Sequence, residues 1–362
     1  MLIYISLAVS LICLADGVCN EGKEKRSSIV TYFINLERSS KRRASIVKHF
    51  TALGMPFERV RAKTPGDFDI PEELSNPVKC IYDSQSTEYT EVGAGLKKKS
   101  TGDKRVLITG LCGRPKNKIK ELAVTASHLT AIYNAIYSPS SKDKSQYALI
   151  VEDDIKIAFD IDLEALVASA PKSFTTLQLF TSNEKSVKML HEQYLLYKDQ
   201  KNKGLWVYRN GHGEYYDWWC AGAYIINKSA IKPLLDRILT KLPDGRLAMK
   251  IIAAYQHKSS LCVPQSCCHV NNNTLRSNTA CVLSPRGFSA DHYIYSLGRS
   301  YILSVPLITS GSLGNRSTLH QEHVDMHSKA FERMENIIDA MRKGFLLLPS
   351  FARQIDSSCL KG

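Results

Sequence analysis

Three adjacent carboxylates, Glu152, Asp153 and Asp154, close the apolar run Tyr147-Ala148-Leu149-Ile150-Val151. A strand that runs straight into acidic residues aims negative charge at one rim of a sheet, and open α/β sheets bind ligands outside the carboxyl ends of their strands. Clustered carboxylates there suit a hard divalent cation that bridges to phosphate oxygens. The competing reading is a polar turn in which Asp153 or Asp154 caps the next helix. A second group is Asn35, Leu36, Arg38, Arg42 and Arg43, at the end of the apolar run Ile29–Leu36 and the start of an amphipathic one. An amide, guanidinium forks and helix N-terminal amides can hold a base, ribose or diphosphate; otherwise they are a solvated helix start. In a third, Trp218-Trp219-Cys220-Ala221-Gly222-Ala223-Tyr224, small residues lie between aromatic ones. Such a stretch lets a sugar lie against backbone beside a ring, or simply packs as a strand.

The elements that must position these groups follow from hydrophobic period. Ile29–Leu36 reads as a buried strand, Arg42–Leu53 as an amphipathic helix and Phe57–Ala62 as a returning strand, which together make a βαβ unit. Residues 64–118 are rich in Pro, Gly, Ser and charge over much of their length and read as a surface excursion. The stripe Leu122, Ala126, Leu129, Ile132 and Ile136 makes Glu121–Tyr137 a helix that feeds the acidic strand. Leu177–Phe180, Trp206–Tyr208, Trp218–Ile226 and Tyr301–Ile308 read as strands, and Ser229–Leu239, Arg246–Tyr255 and Gln321–Phe345 as helices. A cysteine-rich insertion covers 258–288, and 346–362 reads as a tail. The alternation predicts one α/β domain over 27–345, a mixed central sheet flanked by helices.

The chain has 362 residues, 44% hydrophobic, enough for a full core. Its formal charge of +13, from 48 Lys+Arg against 35 Asp+Glu, favours an anionic ligand. No zinc spacing or interleaved basic-aromatic pattern of a nucleic-acid module accompanies that charge, so nucleic acid is not expected as a partner. Met1–Ala15 is an apolar run that reads, within residues 1–19, as a signal peptide; a membrane partner is expected only if this leader is kept as an anchor. Three N-x-S/T triplets, at Asn227, Asn272 and Asn315, and ten cysteines fit the lumen of the secretory pathway (endoplasmic reticulum or Golgi) or a secreted protein. Cys262, Cys267, Cys268, His269 and Cys281 favour disulfides over zinc, since they lack a paired CxxC arrangement.

Four segments in order carry a resemblance: Phe33-Ile34-Asn35-Leu36-Glu37-Arg38 with Arg42-Arg43, Ser127-His128-Leu129, Leu149-Ile150-Val151-Glu152-Asp153-Asp154-Ile155, and Trp219-Cys220-Ala221-Gly222-Ala223-Tyr224-Ile225-Ile226. Together they resemble glycosyltransferase family 25, which includes bacterial lipooligosaccharide and animal collagen galactosyltransferases. The resemblance extends from Ile29 to about Ile238. It implies a GT-A type, Rossmann-like fold and metal-dependent, inverting transfer of a hexose, galactose from UDP-galactose being the first choice, to a protein or glycan hydroxyl. It implies Mn²⁺ or Mg²⁺ on Asp154, Asp153 and Glu152 with a late histidine, for which His320 is the choice. It also places Asn35, Leu36, Arg38, Arg42, Ser127, His128, Gly222 and Tyr224 at the UDP-sugar; for His128 the alternative is a space-filling core histidine. An inverting transfer needs a carboxylate to take the acceptor proton, and Asp291 is preferred to Asp244, which lies between Pro243 and Gly245. His323 and His327 are i, i+4 and could hold zinc, but a solvated helix face is preferred. The rival class is a non-catalytic glycan- or partner-binding protein on the same fold.

Overall fold

A computed structural model describes residues 27–69, 106–110, 118–139, 143–199, 204–209, 218–250, 252–257, 260–262, 281–283, 289–310 and 324–355. The chain opens with β1 (Val30–Asn35), α1 (Ser40–Ala52) and β2 (Phe57–Arg61), followed by β3 (Phe68–Asp69) and β4 (Val106–Gly110). α2 (Lys118–Tyr137) leads into β5 (Tyr147–Glu152), then come β6 (Ile155–Ile157), β7 (Asp160–Ile161), α3 (Leu163–Ala168) and β8 (Thr176–Gln178). α4 (Glu184–Asp199), β9 (Trp206–Arg209), β10 (Ala223–Asn227) and α5 (Lys228–Leu235) precede the short strands β11 (Leu239–Lys241), β12 (Leu247–Lys250), β13 (Ile252–His257), β14 (Ser260–Cys262) and β15 (Cys281–Leu283). The chain closes with α6 (Ala290–Tyr295), β16 (Ser300–Leu303), β17 (Ile308–Ser310), α7 (Val324–Arg342) and β18 (Ala352–Arg353).

The architecture is mixed α/β. A seven-stranded sheet runs β2-β1-β5-β10-β8-β16-β9. β2, β1 and β5 are parallel, β10 is antiparallel to both its neighbours β5 and β8, β16 is parallel to β8, and β9 is antiparallel to β16. β1 and β10 are buried along their whole length, because cores form on both faces of the sheet. On one face Tyr32, Ile150, Tyr224 and Ile226 pack with Ala126, Leu129 and Ile132 of α2 and with Tyr293 of α6. On the other, Phe33, Leu149, Val151 and Ile225 pack with Phe50 of α1 and Met334 and Ile338 of α7. This arrangement is compatible with a Rossmann-like fold.

Several expectations need correction. Arg246–Tyr255 is not a helix: the turn Leu242-Pro243-Asp244-Gly245 reverses the chain, with Gly245 at φ 82° and Leu242 N–H bonded to Arg246 O at 2.8 Å. That turn sets β12 antiparallel to β11 and parallel to β4, and pairing overrides the helical propensity of Leu, Ala and Met. The stretch read as an excursion carries β3 and β4, paired in parallel; 70–105 and 111–117 lie outside the described residues. Tyr301–Ile308 divides into β16 and β17 at Ser304–Leu307, where Pro306 cannot donate to a ladder. Residues 346–355 are no detached tail, since Phe351 and Ala352 are buried and β18 pairs with β7.

The leader, and most of the cysteine-rich segment, lie outside the described residues. Among the described helices none is long and apolar enough to cross a membrane. Of the three triplets, only Asn227 is described. It is buried and caps α5 by accepting from Ala230 N–H, so a glycan there would displace the cap.

Candidate functional site

Strand direction decides what meets. β1, β2 and β5 end at one rim, β8 ends at the same rim, and β10, running the other way, begins there. The segments that follow or precede those ends therefore converge on a cleft of about 520 Å³. Leu36 and Arg38 line it from the β1–α1 turn, Arg42 from the first turn of α1, Lys63, Thr64 and Pro65 from the segment after β2, and Ser127 and His128 from α2. Glu152, Asp153 and Asp154 form its floor, and Phe180, Ser182, Cys220, Ser310, His327 and Phe331 the remaining wall.

Asp153 is buried and held by two partners. Asn35 Nδ2 donates to its Oδ2 at 2.5 Å, and Arg42 Nη1 lies 3.1 Å from its Oδ1. Burial pushes the Asp153 carboxyl up, and Asn35 and Arg42 pull against that. Asn35 has no free amide for a nucleotide: Nδ2 also donates to Ser39 O, and its Oδ1 accepts from Arg59 Nε. Arg42 Nη1 also reaches Asp154 Oδ2 at 3.4 Å. The Asp154 side chain is 36% exposed. Its carboxyl is pushed up to about 7 by burial of the group in the cleft floor and next by Glu152 and Asp153, against Arg42. Three carboxyls crowd one floor with one guanidinium beside them, and their mutual repulsion is what a bound cation would relieve.

Glu152 is the third carboxylate, and its Oε1 lies 3.1 Å from His128 Nε2. His128 is buried, with Nδ1 3.1 Å from the Tyr224 hydroxyl. Ser127 accepts from Lys63 N–H at 2.7 Å, so α2 ties the end of β2 to the cleft. Gly222 allows close approach: a Cβ there would sit 2.8 Å from Phe180 Cζ and 2.9 Å from Cys220 Sγ. Cys220 itself has φ 91°, a strained value for a side-chain-bearing residue. Gln178 Nε2 and the Tyr295 hydroxyl donate to Cys220 O, and Asp291 Oδ2 accepts from its N–H at 3.3 Å.

Asp291 thus stands behind Cys220 and is not among the residues that line the cleft. Its other oxygen accepts from His292 N–H at 2.9 Å. Burial pushes its carboxyl up, but the His292 and Arg209 charges and the Cys220 amide outweigh this and hold it below the ordinary carboxylate range. Asp244 is not brought to the site at all. It is exposed in the β11–β12 turn and pairs with Arg246 Nε at 2.6 Å. His320 and His323 lie outside the described residues.

Sequence reasoning missed Lys63, Phe180 and His327 as cleft residues. Lys63 follows a parallel strand at the ligand rim, a position the βαβ reading already implied; burial lowers its pKa, against Asp67. His327, read as a solvated helix face, turns inward instead: its Nδ1 bonds Ser182 O at 3.2 Å and its ring stacks on Phe331. The buried Gln178–Arg209 pair, 2.6 Å apart, had no local signal.

Among the described residues no group of three or more His, Cys, Asp or Glu is placed to hold a metal ion. The floor instead offers Glu152 and Asp154 at the cleft, with Asp153 tied to Asn35 and Arg42. One or two carboxylates completed by phosphate oxygens and water is the usual set for Mg²⁺ serving a nucleotide, and this donor set fits that kind of ion. No family model and no curated protein matches the chain.

Proposed function

We propose that this chain is a metal-dependent hexosyltransferase of GT-A type, moving a hexose from a nucleoside diphosphate sugar, UDP-galactose first, to a protein or glycan hydroxyl in the secretory pathway or outside the cell. The observation that carries the reading is the convergence on one cleft of a carboxylate floor and a basic, βαβ-derived wall. Arg38, Arg42 and Lys63 supply positive charge for a diphosphate, and guanidinium forks suit its paired oxygens. Glu152 and Asp154 would hold Mn²⁺ or Mg²⁺, which when bound neutralises charge on the departing diphosphate. Phe180 and Phe331 offer apolar faces against which a sugar ring can lie. Asp291 acts in this reading through Cys220, whose strained turn it fixes, rather than on the acceptor hydroxyl.

The test is release of UDP from a panel of UDP-sugars with Mn²⁺, with and without chelator. Asp154→Asn, folded by circular dichroism, is expected to abolish turnover; full turnover in that variant would remove the metal assignment. One observation favours the rival, a non-catalytic glycan- or partner-binding protein. Arg42 bridges Asp153 and Asp154 and could serve as their permanent counter-ion. Glycan binding without Mn²⁺ binding or UDP release is the outcome that selects it.

A further inference from the structure

The carboxylates on the cleft floor differ in what holds them. Asp153 and Asp154 face a guanidinium, whereas Glu152 is met by a histidine that is itself buried and bonded on its far side. β5 turns Ile150 and Glu152 toward α2, and β10 sets Tyr224 opposite Ile150 in the antiparallel register. α2 then drops His128 between Tyr224 and Glu152, with the two rings 5.7 Å apart. Tyr224 in turn packs edge-on against Tyr295, whose hydroxyl holds Cys220 O. The chain of contacts therefore runs from the far wall, through the core, to the floor.

A carboxylate can only accept, so His128 Nε2 donates to Glu152 Oε1, while Nδ1 lies 3.1 Å from the Tyr224 hydroxyl, which donates to it when the ring is in the Nε2–H tautomer. Both ring nitrogens and the phenol are satisfied without water, which removes the penalty for burying them. Glu152, about a third exposed at 34%, has one oxygen committed to His128 and the other available toward the cleft. A space-filling histidine needs neither partner in line.

We infer that Tyr224 and His128 are a buried positioning pair that sets the Glu152 carboxylate, so that its second oxygen is presented to a divalent cation bound with a nucleoside diphosphate. This deepens the transferase reading above and rests on it. His128 and Tyr224 touch no ligand in this arrangement; they act through Glu152. Outer partners of this kind change metal affinity by about 10- to 100-fold when removed.

Two measurements on the full chain decide the matter. In ¹⁵N-histidine NMR, the His128 signals, assigned by their loss in His128→Gln, should report the Nε2–H tautomer, and Tyr224→Phe should disturb that signature. An Nδ1–H tautomer in the wild type overturns the inference. In a Mn²⁺ titration with UDP present, read by calorimetry and not by turnover, His128→Ala should bind about 10- to 100-fold more weakly. His128→Gln, which keeps a donor near the Nε2 position, should recover most of that loss, and Tyr224→Phe should fall between. Wild-type affinity in Tyr224→Phe and in a folded His128→Ala would overturn the inference alone. A wild-type chain that fails to bind Mn²⁺ with UDP would overturn the transferase reading and this inference with it.

Discussion

Asp244 and Asp291 are the same side chain at two places that the sequence offered for one task, and their surroundings treat them oppositely. Asp244 sits in a solvent-facing hairpin, where Arg246 and its own turn satisfy it locally. Asp291 enters the first turn of α6 and reaches a backbone amide 71 positions away, behind the cleft. Nearby, Arg209 is buried, bonded to Gln178 and stacked 4.1 Å over the Tyr295 ring. A carboxylate in the hairpin is therefore replaceable, and one in the wall is part of a structure whose other members were buried on the assumption of its charge. The hairpin shapes only its own register; the wall shapes the cleft.

The largest expected effect separates them by substitution. Asp291→Asn removes the negative charge that Arg209 feels and turns one of two accepting oxygens into a donor facing a backbone N–H, and should cost about 3 kcal/mol of stability in urea unfolding. Donor binding and transfer should fall together, because the Cys220 turn loosens. Asp244→Asn should leave both the unfolding midpoint and turnover at wild-type values, its pair being exposed. The comparison breaks if Asp291→Asn keeps wild-type stability and UDP-sugar binding while transfer drops about 10²- to 10⁴-fold. That pattern would return Asp291 to the role of proton acceptor.

Two glycines sharpen the same contrast at smaller cost. In Gly222→Ala the new methyl meets Phe180 and Cys220 within 3 Å, inside a packed wall. Overpacking of that kind costs about 1–3 kcal/mol, and here it should also disturb donor binding because both neighbours line the cleft. Gly245→Ala meets nothing within 4 Å but must hold φ 82°. It should cost about 1–2 kcal/mol from backbone strain alone, with kinetics unchanged. Thermal unfolding and UDP-release kinetics on the two variants check this; a Gly222→Ala protein unaltered in both would show that the wall is looser than drawn.

What could be read from sequence was local. β1, β2, β5, α2 and the β10 segment each declare themselves by an apolar period and a polar end, and the parallel βαβ opening fixes which ends share a rim. That is why Arg42, His128, Glu152 and Asp154 were found together. The side a residue faces was not legible where distant partners decide it. Asn35 serves Asp153 across 118 positions, His327 is drawn inward by Ser182 across 145, and Gln178 meets Arg209 across 31. Arg246–Tyr255 failed for the same reason, since strand partners outweighed its helical composition. The two aspartates show the limit most plainly, for only the Pro-Asp-Gly turn around Asp244 has a local signature.

The smallest effect lies in the acid limb of stability, where the two carboxyls shift in the same direction for different reasons. Asp244 is lowered by the Arg246 amide first and the Arg246 side chain next, out in solvent. Asp291 is lowered although burial opposes it, because the His292 and Arg209 charges and the Cys220 amide prevail. A carboxyl whose folded pKa is depressed contributes stability that is complete above its unfolded value of about 3.9 and is lost as pH falls through the folded one. These two carboxyls therefore pull the wild-type urea midpoint down as pH is taken from 5 to 3, against Asp153 and Asp154, whose raised pKa values pull it the other way. All other groups are common to the two variants, so a difference in slope reports the substituted carboxyl. Asp291→Asn should flatten the drop at low and at high salt, because a buried arrangement is weakly screened. Asp244→Asn should follow the wild type, and any small departure should vanish in 1 M salt, where screening reaches within about 3 Å. Equal flattening by both substitutions would mean that Asp291 is no better insulated from solvent than a hairpin residue, and the contrast between wall and hairpin would have to be given up.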